Sequence, residues 1–262
     1  MYSVQTILTY LKQDFSLPED TVDTLLHGEN HHIVTGIAVM FMPTIAALKK
    51  AATLNCNLIL AHEGLFFNHS EKKYALDTVH KEKEAFLNNL SLNIFRLHDL
   101  IHMYTPDMIT AGLTDVLFPH PNQLTVHPTY TVVELVQEET LGTIRQHVKQ
   151  TLSLPVCRYV GEDNHLVKRI GIFVGYRGNG EHVIPKIVHD QLDLVIYGEG
   201  FEWETPEYSR DSSFTSRSTS GIVLGHYESE APGMKLFTAK ISAAFDDLKV
   251  HYIDSSSPFS YD

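Results

Sequence analysis

Short, unbroken apolar runs alternate along this chain with longer segments whose apolar residues recur at helical spacing. Val4–Phe15 places Val4, Ile7, Leu8 and Leu11 on one face and is followed by Pro18, which predicts a helix. Thr35–Phe41 predicts a strand, Pro43–Leu54 a helix with proline near its start, and Asn57–Ala61 the next strand, so the chain opens on a βαβ unit. Lys72–Asn89 has helical spacing and leads to a strand at Asn93–Leu97. The periodicity then lapses between Phe118 and Tyr130, where Pro119, Pro121 and Pro128 cluster.

Beyond the prolines the pattern resumes. Strands are predicted at Tyr130–Val136, Val156–Val160, Arg169–Val174, Leu192–Tyr197 and Gly221–Leu224, with helices at Leu141–Leu152 and Glu181–Asp190. A closing helix carries Met234, Phe237, Ile241, Ala244 and Leu248 on one face, and Val250–Ile253 predicts a last strand. The Ser/Thr-rich stretch Ser209–Ser220 reads as an exposed connection. Alternating strands and helices with continuously apolar strands are the pattern of an α/β fold with parallel sheets. The proline cluster divides the chain into an N-terminal lobe, residues 1–125, and a C-terminal lobe, residues 126–262. Ile37–Phe41, helix, Leu58–Ala61, His62-Glu63-Gly64 weakly echoes Ile170–Val174, helix, Leu194–Tyr197, Gly198-Glu199-Gly200, which two related lobes explain and the chance likeness of βαβ units explains nearly as well.

Composition narrows the functional classes. A net charge of -12 argues against nucleic acid or an anionic membrane as a partner held by bulk electrostatics. The two cysteines, Cys56 and Cys157, form no CxxC pattern, so neither a disulfide framework nor a cysteine zinc site is expected. The N-terminal stretch lacks a secretory apolar core and no run is long enough to span a membrane, which predicts a cytoplasmic protein.

Three of the apolar runs stop at a histidine: His62, His98 and His226. Ligands in open parallel sheets collect beyond the carboxyl ends of the strands, so side chains at such ends can converge. Glu63 follows His62, while His98 with His102 and His226 with Glu230 are spaced four apart. Residues four apart at a helix start share a face, and imidazole is the commonest metal ligand. A carboxylate such as Glu230 has two oxygens and can bridge two ions. For any single strand-end histidine a hydrogen-bonded core role is as good an account, and the chain has 16 histidines. His69, His80, His120, His127, His147, His182 and His251 are read as surface or structural.

Two other motifs carry less. His98-Asp99-Leu100-Ile101-His102 departs from the zinc-protease HExxH pattern, having Asp99 where a glutamate is required and Thr105-Pro106 soon after. Gly175-Tyr-Arg-Gly178-Asn-Gly180 lies between a strand and a helix, where phosphate can bind, but it matches no nucleotide fingerprint and reads as a glycine-rich turn. Glu199, Glu202 and Glu228 are candidate general bases and Arg177, Arg210 and Arg217 candidate anion contacts, each weighed against a plain surface role.

The residues around Gly28, the strands ending at His62 and His98, and above all Gly225-His226-Tyr227-Glu228-Ser229-Glu230 before Gly233-Met234 resemble the Nif-three-like dinuclear-metal-centre family, in its short form without an inserted domain. Some members are labelled GTP cyclohydrolase 1 type 2. The resemblance covers nearly the whole chain. It implies two α/β lobes with a metal site in the cleft between them and a homo-hexameric assembly. It also implies two divalent ions (Zn, Fe, Mn, Co or Ni), with His62 and His226 on one, Glu63 and His102 on the other, and Glu230 bridging; His98 would be a ligand or would stand just behind one. Family members usually carry two adjacent histidines where this chain has His62-Glu63, and a histidine then an aspartate where it has His98 and His102. One imidazole and one carboxylate have changed places. The implied activity is metal-dependent hydrolysis of a small anionic molecule, nucleotide-like or a phosphoester, since two divalent ions outweigh the two glutamates. The alternative is a non-enzymatic metal-binding adaptor, regulatory or metal-handling protein.

Overall fold

A computed structural model describes residues 1–70 and 75–262. The first half runs α1 (Val4–Lys12), β1 (Leu25–His27), β2 (Ile37–Met40), α2 (Ile45–Thr53), β3 (Leu58–Ala61), α3 (Thr78–Asn88), β4 (Asn93–Arg96), α4 (Asp99–His102), α5 (Met108–Leu117) and β5 (Gln123–Val126). The second runs β6 (Thr131–Thr140), α6 (Leu141–Thr151), β7 (Arg158–Val160), β8 (Leu166–Phe173), α7 (Gly180–Asp190), β9 (Leu194–Tyr197), α8 (Thr205–Ser212), β10 (Ser220–Val223), α9 (His226–Ala244) and β11 (Val250–Tyr252). Two units result: Met1–Tyr104 with Met234–Ser256, and Thr105–Gly233 with Ser257–Asp262. The chain crosses between them at Tyr104–Thr105, and the closing strand rejoins the first unit. The physical reason is pairing: β11 lies parallel to β2, with Val250 opposite Ile37.

The first unit has a five-stranded sheet in the order β1-β4-β3-β2-β11. Only β1, at the edge, runs antiparallel to its neighbour. β2, β3 and β4 are buried at every position, as the unbroken apolar sequences of β2 and β3 require of central parallel strands; β4 buries Asn93 and Arg96 as well as Ile94 and Phe95. Met40, Leu48, Ile59, Leu87 and Ile94 build one of its core clusters. Helix starts are set by side-chain caps: Ser3 accepts from the Thr6 amide and Thr44 from that of Ala47. Asp77 accepts from the amides of Val79 and His80, which starts α3 at Thr78; residues 72–74 of the helix expected from Lys72 lie outside the described residues.

The second unit has a six-stranded sheet ordered β5-β6-β8-β9-β10-β7, with β8, β9 and β10 mutually parallel. Val132, Phe173, Val183, Ile187, Val195 and Tyr197 pack in its core. The sequence echo corresponds to the parallel units β2-α2-β3 and β8-α7-β9. Ser209–Ser220 is not simply an exposed connection. Ser209, Ser212, Thr219 and Ser220 are buried, the first two within α8. Backbone carbonyls take up two of these hydroxyls, Ser212 donating to Ser209 and Thr219 and Thr219 to Leu192, while the Ser220 hydroxyl lies 2.6 Å from the His165 Nδ1. Among the described residues no helix is long and apolar enough to cross a membrane.

α5 meets the first turns of α9 within the second unit at glycines. A Cβ on Gly112 would lie 2.5 Å from the Gly233 Cα, and one on Gly233 would lie 2.4 Å from the Ile109 Cα. Gly112→Ala is expected to lower stability by about 1–3 kcal/mol, the usual cost of overpacking. Gly221→Ala, whose added carbon would find its nearest neighbour at 3.6 Å, serves as the control. Thermal melts of the two variants check this; equal midpoints would show that the helices separate without cost.

Candidate metal centre

In the first unit the site begins where β3 and β4 end. Parallel pairing puts Ala61 opposite Arg96, and the Leu97 amide extends it by donating to the Ala61 carbonyl at 2.7 Å. His62, fully buried, turns its Nδ1 to the Leu97 carbonyl at 3.1 Å. His98 occupies the N-cap position of the single helical turn α4. That turn is held by Asp23, a buried carboxylate that accepts from the amides of His98 (2.6 Å), Asp99 (2.9 Å) and Leu100 (2.8 Å). Burial pushes the Asp23 carboxyl above its ordinary range despite these donors.

Asp99 in turn accepts from Thr21 and from the Val22 amide through one oxygen, and lies 3.0 Å from the His98 Nδ1 through the other. Burial opposes its charge, but the bonds from His98, Val22 and Thr21 hold the carboxyl below its ordinary range. His102 sits one turn beyond His98. The ring of His62 stacks on that of His98 at 4.7 Å and meets that of His102 at 5.2 Å. One ring nitrogen from each of the three lies within 4.8 Å of the others, so the group could hold a metal ion. Burial, reinforced by the neighbouring His62, pushes the His98 imidazole down to about 4. At neutral pH it is therefore uncharged, the form that ligates.

Glu63 points to a residue that the sequence reading set aside: its Oε2 is 3.2 Å from the Nε2 of His69. The His69 ring is in turn 4.8 Å from that of His98. Nothing in the local sequence singles out His69, which follows β3 by eight residues in a loop.

In the second unit β10 leads through Gly225 into His226, the first residue of α9. The expected shared face is present: the His226 Nε2 is 3.1 Å from the Oε2 of Glu230, a buried carboxylate. The His226 Nδ1 lies 2.9 Å from Glu199. Glu199, weighed above as a general base, thus orients an imidazole. The backbone packs tightly here. A Cβ on Gly175, whose φ is +54°, would fall 2.2 Å from a Glu230 oxygen and 3.1 Å from the His226 Nε2, so glycine is required there. The Gly175 amide donates to the Ser229 hydroxyl, which donates to the His226 carbonyl.

The other candidates are accounted for locally. The glycine-rich turn is closed to phosphate at its helix start, because the Gly180 amide donates to Glu204 at 2.6 Å. Arg177 donates to Asp107 at 2.6 Å and to the Thr129 carbonyl, a structural tie. Glu202 pairs with Arg158 and Arg210 with Glu207; Arg217 is exposed. A Cβ on Gly225 would collide with the carboxylate of Glu228, which folds back over that glycine. His80 stacks on Phe66, His127 on Tyr130, and His147 bonds the Leu117 carbonyl, in keeping with structural roles.

A model of the family described as Duf34/NIF3 (NGG1p interacting factor 3) matches residues 19–258. The chain belongs to this family. A relative named GTP cyclohydrolase 1 type 2 homolog, from Clostridium acetobutylicum, is 23% identical over 248 residues, which make up 92% of this chain and 87% of that protein. The Duf34/NIF3 chain also shares its fold with solved structures. Staphylococcus aureus protein SA1388 matches with a TM-score of 0.82 at 18% identity, covering 100% of this chain and 99% of that one. A Bacillus cereus protein related to NIF3 matches at 0.77 with 14% identity, over 100% and 99% of the two chains. The α/β fold with two sheets expected from the resemblance is thus the family's fold.

The donors of this Duf34/NIF3 protein fit a divalent cation on their own chemistry. His62, His98 and His226 each set Nδ1 against an oxygen acceptor, which places the ring proton there and the lone pair on Nε2. This is the outer-sphere arrangement of metal-ligating histidines. For His226, Nε2 and the Glu230 oxygen stand 3.1 Å apart, an ion pair when the ring is protonated and the spacing of adjacent ligands around one cation when it is not. Glu199→Gln is expected to weaken divalent-metal affinity about 10–100-fold while leaving the melting temperature of the metal-free protein unchanged. Competition titration against a chelating indicator measures this; unaltered affinity would remove Glu199 from the centre.

Proposed function

We propose that this protein is a metal-dependent hydrolase of a small anionic substrate, nucleotide-like or a phosphoester, holding two divalent cations. The observation that carries the reading is the common Nδ1 engagement of His62, His98 and His226, each beside a further nitrogen or carboxylate donor. The proposed ligands are His62, Glu63, His98, His102, His226 and Glu230. Their assignment to one dinuclear centre, like a hexameric assembly and a cytoplasmic location, rests on the family resemblance. Mixed nitrogen and oxygen donors suit Zn, Fe, Mn, Co or Ni. Bound there, the cations would lower the pKa of a water to about 7 and so supply a nucleophile at neutral pH.

The chain's own residues prepare that chemistry. Glu199 keeps the His226 proton on Nδ1, and Asp99 does the same for His98. Asp23 fixes the turn from which His98 and His102 project. A nucleotide-like substrate is favoured by three exposed rings. Tyr176 and Phe201 meet edge to face at 5.8 Å, and Phe201 stacks on Trp203 at 6.0 Å, with Trp203 72% exposed. They follow β8 and β9 on the same loops as Gly175 and Glu199, at the carboxyl ends of parallel strands. Stacking on a planar base suits such rings.

The burial of His62 and Glu230 favours a second reading, a non-enzymatic metal-binding protein, because a closed site leaves little room for substrate. A turnover screen of metal-loaded protein against nucleotides and phosphoesters decides between them. Metal-dependent turnover abolished by Glu230→Gln is expected; no turnover on any class would support the second reading. Trp203 is the only tryptophan of the chain, so quenching of its emission by a nucleoside reports the stacking arm directly. Emission already shielded from acrylamide in the ligand-free protein would assign the rings to contacts between copies and remove the argument for a base.

A further inference from the structure

We propose that His69 is a metal ligand, and that Glu63, His69 and His98 form a two-imidazole, one-carboxylate site for a cation of the Fe(II) class. The inference rests on the metal-binding reading above and specifies one of its two sites. One ligand atom from each of the three residues lies within 4.8 Å of the others, with Glu63 and His69 at 3.2 Å. Ligands at about 2.1 Å from a common ion stand roughly 3 Å apart when adjacent, so the pair is already at ligand spacing.

An ordinary surface ion pair is the competing account, since the His69 side chain is 43% exposed and such pairs contribute about 0–1 kcal/mol. It does not explain why a third donor, His98, shares the spot with its Nδ1 turned to Asp99. Nor does it explain the anchoring of the loop. Arg96, a buried residue of β4, donates through Nη1 to the His69 carbonyl at 3.1 Å and through Nε to the Val22 carbonyl at 2.6 Å. The strand that leads to His98 thereby also fixes the backbone of His69. Ligands held on rigid supports are what a metal site needs.

Glu63 brings a carboxylate from the end of β3, and His69 adds an imidazole from the loop that follows. Two imidazoles and one carboxylate on one side of an ion leave other positions open, the donor set of non-haem Fe(II) sites, whereas structural zinc takes four closed ligands.

The test uses the full-length protein loaded anaerobically with Fe(II), with metal content, affinity and the electron-paramagnetic signal of the nitric oxide adduct as readouts. The wild type is expected to bind two equivalents and give an S = 3/2 nitrosyl signal. His69→Ala and Glu63→Gln are each expected to lose at least about tenfold in affinity for one equivalent, together with that signal, and to retain the other. His120→Ala, at an exposed position, should match the wild type. Because the His69 side chain is half exposed, melting temperatures of the metal-free variants should agree, which separates loss of a ligand from loss of fold. Two equivalents bound by His69→Ala with unchanged affinity and signal would overturn this proposal alone. A wild type that binds no divalent cation would overturn the functional reading as well.

Discussion

The arrangement of the first unit depends on parallel register between two short strands. β3 and β4 pair residue for residue from Leu58 opposite Asn93 to Ala61 opposite Arg96. Because parallel strands end on the same side, the residues just past them are neighbours: His62 faces the Leu97 carbonyl and His98 follows at once. A shift of one residue would turn every side chain to the opposite face and scatter these rings. Register alone does not aim His98 and His102, however. Asp23 does so by accepting three consecutive amides, and it reaches them from the segment just before β1. Hydrogen bonds to a charged acceptor are worth more than neutral ones, and leaving three buried amides unmet would be costly.

The second unit reaches a comparable result by a different route. There the crowding is of backbone against carboxylate: Gly175 and Gly198 come so close to Glu230 and Ser229 that neither position has room for a side chain. A buried carboxylate in a medium of low polarity needs a positive charge beside it, which a protonated His226 or a bound cation can supply. The two βαβ echoes place Glu63 and Glu199 at corresponding positions after β3 and β9, yet they serve differently. Glu63 meets an imidazole nitrogen at 3.2 Å in a donor cluster, whereas Glu199 steadies His226 from behind.

Much of the fold was legible along the chain because central parallel strands bury both faces and so write themselves as unbroken apolar runs. The strand ending at His62 is of that kind, and the capped helices α2, α6 and α7 have clear amphipathic spacing. Several elements escaped, α5 and β5 among them, and the others have weak signatures. α4 is one turn long, β1 has three residues, and α8 is rich in serine and charge, so its buried hydroxyls imitate a surface loop. The return of the last strand to the first sheet is not written in any one segment. The proline cluster marks an irregular stretch, but a unit is defined by which strands pair, and β11 finds its partner β2 more than 200 positions earlier.

The sequence by itself determined the alternation of buried strands and amphipathic helices, the histidines that end three of those strands, and the helical spacing of His226 and Glu230. These are local, since burial and periodicity are properties of neighbouring residues. Only the tertiary structure decided that Asp23 shapes the turn of His98, that Glu199 meets the His226 ring, and that His69 lies beside Glu63 and His98. Each of those depends on a hydrogen bond or a close approach between segments distant in the chain, and no pattern within a single segment records which distant atom will accept its proton.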